Sequence, residues 1–479
     1  MSMASPELEI GPTALPDGWQ SEPLGEVIAP SKEKVEPEQC PDAPYLSLEH
    51  VEANTGRIIG RGLASDVKST KCVFRAGDVL YGKLRPYLNK VCIPDFSGVC
   101  STDFLVFPRQ SRLDNRLLRH FLSLPPIVQF ATDQSKGVQL PRVSFAALAT
   151  ISLPLPPLPE QQRIVARIEE LLAHVNAARE HLARVPVILK RFRQSVVAAA
   201  CSGRLTEDWR DRSRPIDEPT AAIVAHHKAC WLKNHRVARS PYVPPTFAEG
   251  PRPLPFGWKW VSLGILGENC FATVQTGPFG ALLHRDEFVE AGVPVVAVGN
   301  LTGMGFSAEG LYFVTPEKGA QLSRFDVKAG DVLFARSGAT LGKVCVAPAF
   351  VDSWRMTGHI LRVRLARNLV IPDYLVYCLH GDPAVREQVT GSTRGVTRPG
   401  FNTSLLESVS VPLAPLAEQH EIVRRVEALF ALADTIEQCV GAATARADHL
   451  TQAILAKAFR GELVPNTADL AGAMASDGA

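Results

Sequence analysis

Pro154-Leu155-Pro156-Pro157-Leu158-Pro159-Glu160-Gln161-Gln162-Arg163-Ile164-Val165 returns later in the chain as Pro412-Leu413-Ala414-Pro415-Leu416-Ala417-Glu418-Gln419-His420-Glu421-Ile422-Val423. The copies stand 258 residues apart, and this register holds from about Leu117/Leu375 to Leu205/Leu463. Upstream it slips. Gly77-Asp78-Val79-Leu80 pairs with Gly330-Asp331-Val332-Leu333 at 253, and Leu15-Pro16-Asp17-Gly18-Trp19 with Leu254-Pro255-Phe256-Gly257-Trp258 at 239. Each copy therefore joins a segment of variable length to one of fixed length.

The fixed segment reads as a long helix. Pro159 suits a first helical turn, and Glu160 sets negative charge at the positive end of the helix dipole. Apolar residues follow at Ile164, Ile168, Leu171, Val175, Ala178, Leu182, Val185, Leu189, Phe192 and Val196. The steps alternate four and three, the mark of a coiled-coil seam. The second copy gives Ile422, Val426, Leu429, Ala433, Ile436, Val440, Ala443, Ala447, Leu450 and Ile454. Gly203 and Gly461 are the expected helix stops. Pro186, with Thr444 at the matching place, predicts a kink or break in the first helix. A single striped helix cannot bury its stripe alone, so the two are expected to pack together. A connector at 206–253, holding a short helix over Pro219–His235 and a Pro-rich stretch, suits an antiparallel pair with the two globular domains at opposite ends.

The variable segments, 15–153 and 254–411, carry short strand-like runs between Gly- and Pro-marked turns. Examples are Lys71-Cys72-Val73-Phe74, Phe104-Leu105-Val106-Phe107 and Ile360-Leu361-Arg362-Val363, with helices expected at Asn115–Ser123 and near Tyr374–Leu379. Both read as α+β domains with a mainly antiparallel sheet, in a pseudo-two-fold internal repeat. The helical segments are 154–205 and 412–463, and the Ala- and Gly-rich tail from 464 reads as disordered. A net charge of +2 does not announce a polyanion partner, so any basic surface must be local. The ten cysteines show no Cys-x-x-Cys pair and read as reduced thiols of a cytoplasmic protein, with no metal ligand among them. No run approaches a membrane span or a signal peptide.

The Leu-Pro-x-Gly-Trp openings, the Gly-Asp-Val-Leu runs, the Pro-rich lead into Glu-Gln and the two helix ends together resemble the specificity subunits of type I restriction–modification enzymes, the type IA group in particular. Those ends are Leu189-Lys190-Arg191-Phe192 through Gly203-Arg204-Leu205, and Leu450-Thr451-Gln452-Ala453 through Gly461-Glu462-Leu463. The resemblance covers about 15–465. It implies two target-recognition domains, each binding one half of a bipartite site on double-stranded DNA, and spacer helices that set the half-site separation. It also implies docking of two methyltransferase subunits and two restriction subunits. S-adenosylmethionine, ATP and Mg would belong to those partners, and the chain itself would be non-catalytic. A symmetric coiled-coil adaptor without DNA reading is the alternative.

Two basic loops in each copy are the candidate DNA contacts. The loop after Gly-Asp-Val-Leu offers Lys83, Arg85, Tyr87 and Lys90 in the first copy, and Arg336, Ser337, Thr340 and Lys343 in the second. The loop before the Pro-rich lead offers Lys136 and Arg142, then Arg394, Thr397 and Arg398. Basic and hydroxyl groups on loops suit phosphate contacts, and arginine can also read guanine. Lys90 and Lys343 hold the same place in both copies, which points to phosphate positioning. Enzyme motifs are absent. Gly338-Ala339-Thr340-Leu341-Gly342-Lys343 lacks a spacer residue and the hydroxyl residue of a phosphate loop. His226-His227 reads as an isolated, solvated pair.

Overall fold

The computed structural model describes residues 15–213, 219–234, 242–247, 250–278, 282–336, 341–391 and 401–465. It divides into two compact units. Unit one is Met1–Arg184 with Cys439–Ala479, and unit two is Val185–Gln438. Both cuts fall inside long helices, Leu158–Cys201 and Leu416–Phe459, each of 44 residues.

Unit one holds a five-stranded sheet in the order Lys34–Val35, Lys71–Phe74, Gly98–Cys100, Pro44–Leu46, Gly62–Leu63. A three-stranded sheet places Val79–Gly82 between Val91–Cys92 and Phe104–Phe107. Unit two has two four-stranded sheets, one centred on Ile360–Val363 and Val332–Ala335, the other on Val293–Val296 and Trp354–Met356. Among the described residues, pairing is antiparallel except for one parallel pair in each unit, Tyr45 with Val99 and Val295 with Arg355. The expected helices form at Asn115–Leu122, Pro372–Gly381 and Pro219–Asn234.

Gly-Asp-Val-Leu is a turn leading into a buried strand. Gly77 and Gly330 sit at φ +87° and +82°, where a side chain would be strained. The next carboxylate closes the turn: Asp78 accepts from the Arg75 N–H at 2.7 Å, and Asp331 from the Lys328 N–H at 2.8 Å. Val79–Gly82 and Val332–Ala335 are then buried at every position, as expected of central strands that pack on both faces.

The Leu-Pro-x-Gly-Trp and Pro-rich motifs meet in a latch that each unit repeats. Trp19 donates its indole N–H to Glu160 at 2.9 Å, and Trp258 to Glu418 at 2.8 Å. Gln161 accepts from the Asp114 N–H and donates to the Arg112 and Pro156 carbonyls. Gln419 accepts from the Ile371 N–H and donates to the Leu369 and Ala414 carbonyls. All four Glu and Gln side chains are buried. Glu160, read from sequence as a dipole partner, is thus a buried tertiary acceptor. A two-stranded ribbon continues each latch: Gln20–Pro23 with Ser152–Leu155, and Lys259–Ser262 with Ser410–Leu413. The end of the other long helix closes it. Gly203, at φ +77°, packs on Pro255, and Gly461, at φ +74°, on Pro16.

Within each unit the long helices pair antiparallel. In unit one Arg163 reaches the Pro465 carbonyl, while Arg179 donates to Asp448 at 2.7 Å and Thr451 at 3.0 Å. In unit two Arg193 bridges Asp434 at 2.6 Å and Glu437 at 2.9 Å, while Arg425 donates to the Leu205 carbonyl at 2.8 Å. Ile164, Ile168, Val175, Leu189, Ile422 and Val426 are buried, and Leu171, Leu182, Leu429 and Ile454 half-buried. Ile436 and Leu450 instead face outward, 38% and 54% exposed. Ala433 and Ala447, one three-residue step earlier, are buried in their place. A straight helix of 3.6 residues per turn drifts away from a 3.5-residue repeat, and small alanines let the backbones approach.

Pro186 does not break the first helix, which runs through it without interruption. The carbonyl left without its N–H belongs to Leu182, which is half-buried between the exposed His181 and Ala183, so water can approach it. The local penalty remains. Pro186→Ala is expected to stabilise unit two by up to about 3 kcal/mol, the helix-interior difference between these residues. A urea midpoint that fails to rise would show that this position needs proline's geometry.

Candidate nucleic-acid interface

The strand Val79–Gly82 delivers Lys83 to the surface of unit one. The Lys83 N–H donates to the Asp103 carbonyl at 2.9 Å, and its carbonyl accepts from Val143 at 3.0 Å. One residue on, Leu84 forms a β-bridge with Arg142, and the Arg85 N–H donates to the Pro141 carbonyl at 2.7 Å. Lys136 and Arg142 exchange two backbone hydrogen bonds and close the second loop as a hairpin tip. The two candidate loops, 46 residues apart in sequence at their nearest ends, therefore form one ledge.

The ledge exposes charge. Arg85, Tyr87, Lys136 and Arg142 all face solvent. Arg85 and Asn89 hold left-handed backbone at φ +52° and +45°, flanking the short turn Pro86–Leu88. Strain of this kind persists only where the surroundings fix it, and it collects at functional loops. Arg142 is steadied by Asp103 at 2.8 Å. Lys90 is placed differently from the others. It is half-buried and donates its ammonium to the Leu48 carbonyl at 2.7 Å. From sequence, this loop stands out only for its basic ends, not for the apolar residues at its tip. Val138 is fully exposed and Leu140 nearly half exposed. Apolar residues between Gly137 and Pro141, with no strand or helix period, were the only signal for it.

Unit two builds the same junction. The Arg336 N–H donates to the His359 carbonyl at 3.1 Å, and the Arg336 carbonyl accepts from Phe401 at 2.8 Å. The Arg336 guanidinium donates to the Thr276 hydroxyl at 3.2 Å, and partial burial lowers its pKa from the ordinary arginine value. Lys343 is half-buried, and its carbonyl accepts from Ala335. Ser337, Thr340, Arg394, Thr397 and Arg398 lie outside the described residues.

The histidine pair of the connector helix is not solvated as expected. His226 Nε2 lies 2.9 Å from the Gly267 carbonyl, and the His227 ring packs against Tyr242 and Phe271 at 5.8 and 5.4 Å. Pairing of the helix with the Gly267–Phe271 loop, 40 residues away, is invisible to a local reading. No helix among the described residues is long and apolar enough to cross a membrane.

A family model for the type I restriction modification DNA specificity domain matches residues 16–184 and again 280–440. The chain is 30% identical over 355 residues to the type I restriction enzyme EcoBI specificity subunit of Escherichia coli, covering 74% of this chain and 67% of that one. It is 28% identical over 373 residues to the EcoKI specificity subunit of Escherichia coli (strain K12), covering 77% and 68%. Its fold is shared with the HsdS subunit from Thermoanaerobacter tengcongensis, with TM-score 0.58, 24% identity and coverage of 94% and 99%. A chain from a structural study of type I R-M complex assembly and conformational transition gives TM-score 0.70 at 24% identity, covering 94% and 100%.

Proposed function

The chain belongs to the type I restriction–modification DNA specificity family, as its non-catalytic sequence-specificity subunit, and we propose that each of its two recognition domains, 15–153 and 254–411, binds one half of a bipartite DNA site. One observation supports this reading most. The same strand-to-loop junction recurs in both units, at Lys83 and at Arg336, and it carries loops that differ between them. Two similar readers with different loops suit two different half-sites.

The long helices would set the half-site separation. Each spans about 66 Å at 1.5 Å per residue. A stiff helix pair fixes a distance that a flexible linker would not. The same helices would dock two methyltransferase subunits and two restriction subunits, which would carry S-adenosylmethionine, ATP and Mg in the cytoplasm. Contact to DNA would fall first on Arg85, Lys136 and Arg142, with Lys83 and Arg336 at the loop bases.

The test is genome-wide methylation in cells co-expressing this chain with its methyltransferase partner, against cells lacking it. The expected result is a new methylated motif of two fixed halves around an unspecified centre. A stable complex that methylates no new motif, with a partner shown to be active beside another specificity subunit, would favour the adaptor reading.

A further inference from the structure

We propose that His226, Cys230 and Cys270 of unit two form a binding site for a zinc-class divalent cation that fastens the connector helix to the recognition domain. The helix Pro219–Asn234 places His226 and Cys230 four residues apart, hence on one face. Its buried Ile223 joins the core of unit two and holds that face inward. The loop after Leu263–Leu266 brings up Cys270.

Cys230 Sγ lies 3.4 Å from His226 Nε2 and 3.1 Å from Cys270 Sγ, and the three ligand atoms lie within 4.8 Å of one another. A tetrahedral zinc with bonds of about 2.3 Å to sulfur and about 2.0 Å to nitrogen needs ligand atoms roughly 3.3–3.8 Å apart. Shifts of a few tenths of an ångström to about one ångström would close the set. The Gly267 carbonyl, 2.9 Å from His226 Nε2, is the nearest further donor, so the fourth position falls to it or to water. Charge balances within the site. Each thiol gives up a proton, the two thiolates neutralise the dication, and the imidazole binds neutral through Nε2 with its proton on Nδ1. A half-buried place between a helix and a loop tolerates a neutral cluster. A cleft lined by Glu268, Lys328, Asp331 and Arg364 opens beside His226 and gives an entry path.

The proposal is independent of the DNA reading. The test uses full-length chain without a histidine tag, stripped with chelator under reducing conditions and titrated with cobalt(II). Wild type should take up about one equivalent and develop thiolate-to-cobalt charge-transfer absorption. Zinc should displace the cobalt and raise the Tm. Cys230→Ser and Cys270→Ser should each weaken uptake by at least about 100-fold, more than the loss of an outer-shell partner does. Cys439→Ser, at an exposed thiol, should leave it unchanged. Reduced wild type that shows no cobalt charge-transfer band overturns the proposal whatever the variants do. So does a Cys230–Cys270 disulfide in a chain that, once reduced, takes up no metal.

Discussion

Glu418→Ala is expected to destabilise unit two by about 3–5 kcal/mol, the range for removing one partner of a buried ion pair. The carboxylate is fully buried and accepts from the Trp258 indole at 2.8 Å, the Thr206 hydroxyl at 2.7 Å and the Arg210 guanidinium. Alanine would strand a cation that is only 15% exposed, together with a buried indole N–H. The indole could not reach water without opening the junction, and the guanidinium could do so only along its narrow exposed edge. Glu418→Gln keeps the shape and one acceptor, so it should cost less. Urea unfolding followed by tryptophan emission measures this, because Trp258 and Trp260 are both buried beside the latch. A Glu418→Ala midpoint within about 1 kcal/mol of wild type would remove the latch from the stability of the unit. Function should suffer with it, since the latch joins the ribbon of Lys259–Ser262 and Ser410–Leu413 to the start of the long helix Leu416–Phe459. A loosened latch would no longer hold the angle between them.

Much of this architecture was legible. The repeat, the α+β character, the long helices and their glycine ends follow from periodicity, capping chemistry and a register that persists along the chain. These are local or self-similar signals. Tertiary partnerships were not legible. Nothing around Glu160 reveals that its partner is Trp19, 141 residues upstream. Pro186 predicts a kink or break from sequence, and the helix continues through it unbroken. Lys90 and Lys343 share an offset, which pointed to a shared phosphate contact. The structure gives Lys90 a backbone carbonyl as partner, and a common fold explains a common residue as well as a common ligand does. The joining of the two loops through Leu84 and Arg142 requires the fold, not the motif. The cysteine and histidine cluster spans a helix and a distant loop, so no search for short metal spacing could find it.

The ledge of unit one yields the second large effect. In the partner-bound complex, the double variant Arg85→Ala with Lys136→Ala should weaken binding to every DNA sequence alike. It should also flatten the dependence of log affinity on log salt by about 0.9 for each phosphate that is no longer neutralised, hence about 1.8 for two. Both side chains are exposed on backbone that the ledge fixes, so their removal should leave the fold intact. Lys90→Ala should behave differently. Its ammonium ties the loop to Leu48, so stability should fall while the salt slope stays near that of wild type. Tyr87→Ala and Val138→Ser form a third class. These side chains project from the same ledge without charge, and apolar groups in a groove can meet a thymine methyl. They should alter which half-site is methylated and leave the slope alone. Salt titrations on matched and mismatched duplexes separate the three classes. An unchanged slope in the Arg85 and Lys136 double variant would move the DNA to another face of unit one.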